Sequence, residues 1–179
     1  IKGKPLKKVT VSYATKAVYT GNGIYPKVKL TDGEKVLTPD VDYLIEYSNN
    51  VNVGRAKITL TGCGAYTGVV KKTFTIQPEE GVGDMLDIVV GNDGITEYVT
   101  GGSEPRVLVM LDNKVLQQGV DYKVSYQNNK RVAKANAMHA PTVIIRGKGN
   151  YKFNRKETFT IREKSLTDSD ITIAVADKH

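Results

Sequence analysis

The chain has 179 residues, room for one large domain or two small ones, and its 40% hydrophobic and 25% charged residues exclude disordered composition. A single cysteine, Cys63, excludes an internal disulfide, and no Cys or His cluster has metal-ligand spacing, so neither metal nor cofactor is expected. The formal charge of +7 is scattered, with no run of five or more basic residues, and reads as a solvated surface rather than a nucleic-acid face.

Ten Tyr, three Phe, no Trp and 17 Gly point to strands and turns. In chain order, Val9, Val11 and Tyr13 alternate with Thr10 and Ser12. Tyr43, Ile45 and Tyr47 alternate with Leu44 and Glu46, Ile58 and Leu60 with Thr59, and Phe74 and Ile76 with Thr75. Period-two alternation over a few residues predicts strands with one face buried. Turn signals fall between them at Gly21-Asn22-Gly23, Asp32-Gly33, Ser48-Asn49-Asn50 and Gly62-Cys63-Gly64. No stretch shows sustained helical periodicity, and no apolar run approaches the ~20 residues that cross a bilayer.

The second half echoes the first. Val41-Asp42-Tyr43, Tyr47 and Asn49-Asn50 return as Val120-Asp121-Tyr122, Tyr126 and Asn128-Asn129, at an offset of 79 that also relates Tyr19 to Tyr98 and Pro26 to Pro105. Further on the offset is 85. Gly62-x-Gly64-x-Tyr66 returns as Gly147-x-Gly149-x-Tyr151, and Thr73-Phe74-Thr75-Ile76 as Thr158-Phe159-Thr160-Ile161. Six extra residues therefore lie between Asn129 and Arg146. They are expected to enlarge a hairpin or loop holding Met138 and His139.

Two units follow from this echo, residues 4–78 and 79–164, with 165–179 as the start of a third repeat or a tail; Ile171–Val175 resembles Val9–Tyr13. Pro78–Asp84, rich in Pro, Gly and acid, reads as the linker. The opening Ile1-Lys2-Gly3-Lys4, without Met or a signal-peptide core, is expected of a piece of something longer. Six or seven short strands in ~75–80 residues predict an all-β fold, one small antiparallel sandwich per unit. Tyr43 and Tyr47 then share a face, Asp42 accepts backbone N–H bonds at the strand mouth, and Asn49-Asn50 ends the strand.

The ordered motifs Tyr19-Thr20-Gly21, Pro26, Val41-Asp42-Tyr43, Tyr47-Ser48-Asn49-Asn50, Gly62-Cys63-Gly64-Ala65-Tyr66-Thr67-Gly68 and Thr73-Phe74-Thr75-Ile76 resemble a known family. It comprises the Ig-like tandem repeats of large surface and secreted proteins of Gram-positive gut bacteria. The resemblance spans nearly the whole chain. The second unit departs from it at Tyr98-Val99-Thr100 and in its added residues. What the resemblance implies is two tandem Ig-like β-sandwiches in a long exported, extracellular or cell-surface protein. The family carries no catalytic residues to transfer.

The residues name no acid, base or nucleophile either, so an enzyme is not expected. His139 and His179 stand in a loop and at the terminus, no Gly-x-Ser-x-Gly elbow occurs, and Cys63 takes the place of Lys148, an exposed position. Gly62-x-Gly64 lacks the residues of a phosphate loop and reads as a tight turn. Asp168-Ser169-Asp170 offers too few oxygens for calcium, and Glu79-Glu80 reads as linker solvation. A Lys–Asn or Lys–Asp isopeptide bond would need an inward-facing lysine.

Eight of the ten tyrosines recur in both units, which assigns them to core or corner roles; Tyr13 and Tyr25 do not recur. The ligand-binding candidates are therefore Tyr25, Met138 and His139, with Lys130 and Arg131 in the long loop. The expected function is a non-catalytic structural or adhesive module that spaces or displays other domains. The alternative is a carbohydrate- or host-ligand-binding module of a secreted glycan-active protein. Expected partners are neighbouring domains of the same chain, then a host protein or glycan, with nucleic acid ranked lower.

Overall fold

The computed structural model describes residues 3–164. The third-repeat start or tail, His179 and the Asp168-Ser169-Asp170 group lie outside the described residues. The protein is all-β, of β-sandwich character, and no α-helix occurs among the described residues. The described residues form two compact units: residues 3–81 together with Gly149–Lys152, and Val82–Lys148 together with residues 153–164.

In the first unit the strands are β1 (Lys4–Pro5), β2 (Thr10–Ser12), β3 (Lys16–Val18), β4 (Lys29–Asp32), β5 (Lys35–Val36), β6 (Tyr43–Ser48), β7 (Gly54–Gly62), β8 (Tyr66–Thr67), β9 (Val69–Gln77) and β10 (Glu79–Glu80). One sheet has the order β3-β9-β7-β6 and another β2-β4-β5. The alternating side chains Ala56, Ile58 and Leu60 of β7 and Phe74 and Ile76 of β9 are fully buried, as is Leu30 of β4. Each of these Ile, Leu and Phe side chains contributes roughly 1.5–3 kcal/mol by its burial, and the Ala56 methyl less. That burial, rather than strand propensity, fixes the register.

The second unit holds β11 (Leu86–Val90), β12 (Ile95–Glu97), β13 (Val107–Leu111), β14 (Lys114–Val115), β15 (Tyr122–Gln127), β16 (Thr142–Gly147), β18 (Asn154–Thr158) and β19 (Thr160–Arg162). Its sheets are β11-β13-β14 and β15-β16-β18, with β12 paired to β19. Val107 and Val109, Val143 and Ile145, and Phe159 and Ile161 form its core. β6 and β15 bury their residues in the same alternating pattern.

Three features differ from the sequence reading. The larger ladders are antiparallel, but β1 runs parallel to β8, and β3 to β9 and β12 to β19, the last two because the chain crosses between sheets after β2 and after β11. The stretch read as a solvated linker is ordered: Glu79-Glu80 pairs in parallel with β17 (Tyr151–Lys152), and Val82 is buried in a 3-10 turn. Finally, Cys63 is half-buried rather than exposed, its S–H donating to the Val41 carbonyl at 3.3 Å, because the Gly62–Tyr66 turn folds back over that segment.

Candidate functional site

Four pairs of residues that recur between the halves, Tyr47/Tyr126, Asp42/Asp121, Asn49/Asn128 and Asn50/Asn129, take the same backbone roles at matching places. The Tyr47 hydroxyl donates to the Pro26 carbonyl at 2.7 Å, and the Tyr126 hydroxyl to the Pro105 carbonyl at 2.5 Å. Burial raises both phenols above their ordinary pKa. Thr38 N–H donates to Asp42 and Gln117 N–H to Asp121, each at 2.9 Å. Asn49 and Asn128 both adopt φ 55°, the left-handed turn that Asn tolerates. The next residue in each case, Asn50 or Asn129, donates its side-chain amide to Ile24 or Ser103 and accepts that residue's N–H on its own carbonyl. These bonds hold the tip of the β6–β7 hairpin, and of its counterpart after β15, against the preceding loop.

The two halves part company just beyond that tip. β7 runs unbroken from Gly54, which is the register partner of Ile76. Its counterpart in the second unit is Ala133, bridged to Ile161. Register resumes at Thr142, partner of Thr158, as Lys57 is of Thr73. Two residues, 55 and 56, therefore correspond to eight, 134–141, a difference of six. Of the two expected forms, a longer hairpin or a larger loop, the insertion takes the second, and Met138 and His139 lie in it. It bulges out of the middle of a strand, because the Ala133 pairing holds the chain in place before it.

The bulge is internally bonded. Ala137 N–H donates to Lys134, Ala140 N–H to Ala137, and Ala135 N–H to the Thr160 hydroxyl. The Asn128 amide donates to the Ala140 carbonyl and so ties the bulge to the tip. Between tip and bulge lies an open cavity of about 800 Å³. Its lining includes Tyr126, Lys130, Arg131, Val132, Met138 and His139. The matching tip of the first unit, Asn49–Arg55, encloses about 430 Å³. The larger cavity gains the wall of Ala137, Met138 and His139 and is also lined by Tyr126 and Gln127, whose counterparts Tyr47 and Ser48 do not line the smaller one.

Of the residues singled out in the sequence, Lys130, Arg131, Met138 and His139 thus share one cavity. Tyr25 does not join them. It belongs to the first unit, is 68% exposed, and stands edge-on to Tyr47 with centroids 5.2 Å apart. Sequence reasoning missed Val132, Ala133 and Ala137 as walls, since small apolar residues in a loop carry no signal of their own. Among the described residues no Asp or Glu lines the cavity. Among the described residues no group of His, Cys, Asp and Glu is placed to hold a metal ion. The closest Lys–Asp approaches, Lys4–Asp32 and Lys35–Asp42, are ion pairs whose lysines are 49% and 57% exposed, unlike the buried lysine an isopeptide bond needs.

The class these observations define is an all-β protein of sandwich character with a loop-built cavity. Comparison with family models, curated proteins and solved structures found no match to the chain. Among the described residues no helix is long and apolar enough to cross a membrane.

Proposed function

We propose that the chain is a non-catalytic structural or adhesive module, built from two tandem Ig-like units, that spaces or displays other domains of an exported bacterial protein. One observation carries this reading. The side chains common to both halves are spent on holding the framework, as in Tyr47 to Pro26 and Tyr126 to Pro105. A framework repeated with its struts intact suits spacing and display, where geometry must be reproduced and chemistry need not be. The resemblance to surface and secreted repeat proteins supports the same location. Antibody raised against residues 3–164 should stain intact, unpermeabilised cells of the producing organism; staining only after lysis would overturn the extracellular reading.

The cavity favours a second reading, a module that binds a host protein or a carbohydrate. Loops at the ends of sandwiches carry binding because the sheets position them rigidly. About 800 Å³ falls in the range of small-ligand sites.

A further inference from the structure

We propose that the cavity between the hairpin tip and the inserted bulge binds an acidic peptide segment of a partner protein, one apolar side chain of which enters between Val132 and Met138. This rests on the ligand-binding reading above and narrows it to one chemistry.

Charge is the first argument. Lys130 and Arg131 line the cavity, and Lys134 stands next to its wall. All three are exposed. None makes an ion pair among the described residues, although lysines and arginines elsewhere in the chain do. With no carboxylate in the lining among the described residues, the cavity wall they form presents uncompensated positive charge. Val51 and Asn52 occupy the matching places in the first unit, so these cations are not part of the shared framework.

The second argument is the apolar wall. Met138 is 94% exposed and Val132 48% exposed at the cavity's edge. A flexible thioether held open beside a cavity can repack against whatever apolar group enters. Covering these side chains would remove apolar surface from water at about 25 cal/mol per Å².

The polar groups discriminate between a peptide and a sugar. Reading sugar hydroxyls needs convergent free amides and an open ring face. Here the Asn128 amide is committed to Ala140 and the Asn129 amide to Ser103. Tyr126, the one phenol ring in the lining among the described residues, is half-buried, with its hydroxyl on Pro105 and its ring edge-on to Phe159 at 6.2 Å. One uncommitted amide, Gln127, and the His139 imidazole do not make a convergent set, and the rest of the lining that faces solvent is cationic and aliphatic, the complement of carboxylates flanking a Leu or Phe.

The test uses the whole chain on an immobilised array of hexapeptides, with Glu, Lys or Ser at five positions and Leu, Phe or Gly at the sixth. Glutamate peptides carrying Leu or Phe should be retained and their lysine counterparts should not. In solution, fluorescence anisotropy with the best-retained peptide should show affinity falling as salt rises. It should fall about tenfold or more in the Lys130→Glu/Arg131→Glu variant and in Met138→Asp. Because these side chains are exposed, the variants should keep the wild-type circular dichroism spectrum, and Lys123→Glu on β15 should bind normally. Equal retention of lysine peptides, or wild-type affinity in the double variant, would overturn the inference. Polygalacturonate and sialyllactose are run in parallel. If either binds and no peptide does, the peptide inference falls while the ligand-binding reading stands; if nothing binds, both fall.

Discussion

Ala133 and Ile161 exchange two backbone hydrogen bonds, 3.1 Å from Ala133 N–H to the Ile161 carbonyl and 2.8 Å in return. That closed pair keeps the hairpin tip in register with β19 even though the next six-residue surplus leaves the sheet. Beyond the bulge, Phe159 N–H donates to the Pro141 carbonyl at 2.9 Å, the place that Ala56 takes opposite Phe74 in β7. Both ends of the bulge are thus already anchored as a continuous strand would be.

Excision should therefore be tolerated. Replacing residues 134–141 by the Arg-Ala dipeptide of positions 55–56 restores the unbroken strand and supplies an alanine carbonyl for Phe159. Since loop length itself costs little, stability in urea denaturation should stay within about 1 kcal/mol of the parent. Loss of cooperative unfolding would show that the bulge is part of the framework rather than an addition to it.

The tyrosine struts make a second, quantitative case. Tyr47→Phe and Tyr126→Phe keep each ring but leave the carbonyl of a buried proline, Pro26 or Pro105, without its donor. Each change should cost about 1–2 kcal/mol, the usual range for losing a hydrogen bond and stranding one partner. Chemical denaturation of the single variants measures this. A loss below a few tenths of a kcal/mol in both would mean that water replaces the hydroxyl and that the strut is dispensable.

Acid should loosen the first unit by a definite route. The Thr38 amide, aided by the Lys35 ammonium, holds the Asp42 carboxyl below its usual range, against the opposing effect of burial. The Lys4 ammonium does the same for Asp32. A carboxylate depressed in the fold binds protons less readily there than in the unfolded chain, where its pKa is about 3.9. Its stabilisation is complete above that value and disappears as pH falls through the lower folded one. Thermal midpoints should be flat from about pH 7 to 5 and drop below about pH 4. Asp42→Asn should flatten part of that drop, and melting curves that fall in parallel for variant and parent would refute the assignment.

The sequence by itself determined the all-β class and the places of most strands, because alternation of Ile58 and Leu60 with Thr59, or of Phe74 and Ile76 with Thr75, can bury one face only as a pleated strand. It also determined which residues end strands. Asn49 and Asn128 carry the same signal because both must turn left-handed. The step in offset from 79 to 85 announced an insertion, and with it Lys130, Arg131, Met138 and His139. What the sequence could not decide was where those six residues would emerge. That depended on whether Ala133 paired with Ile161, a contact between residues 28 positions apart whose bonds are made by backbone atoms that every residue shares. Only the folded chain could choose between a longer tip and a bulge in a strand. The cavity has its added wall because it chose the bulge, which is why Val132 and Ala137 line it together.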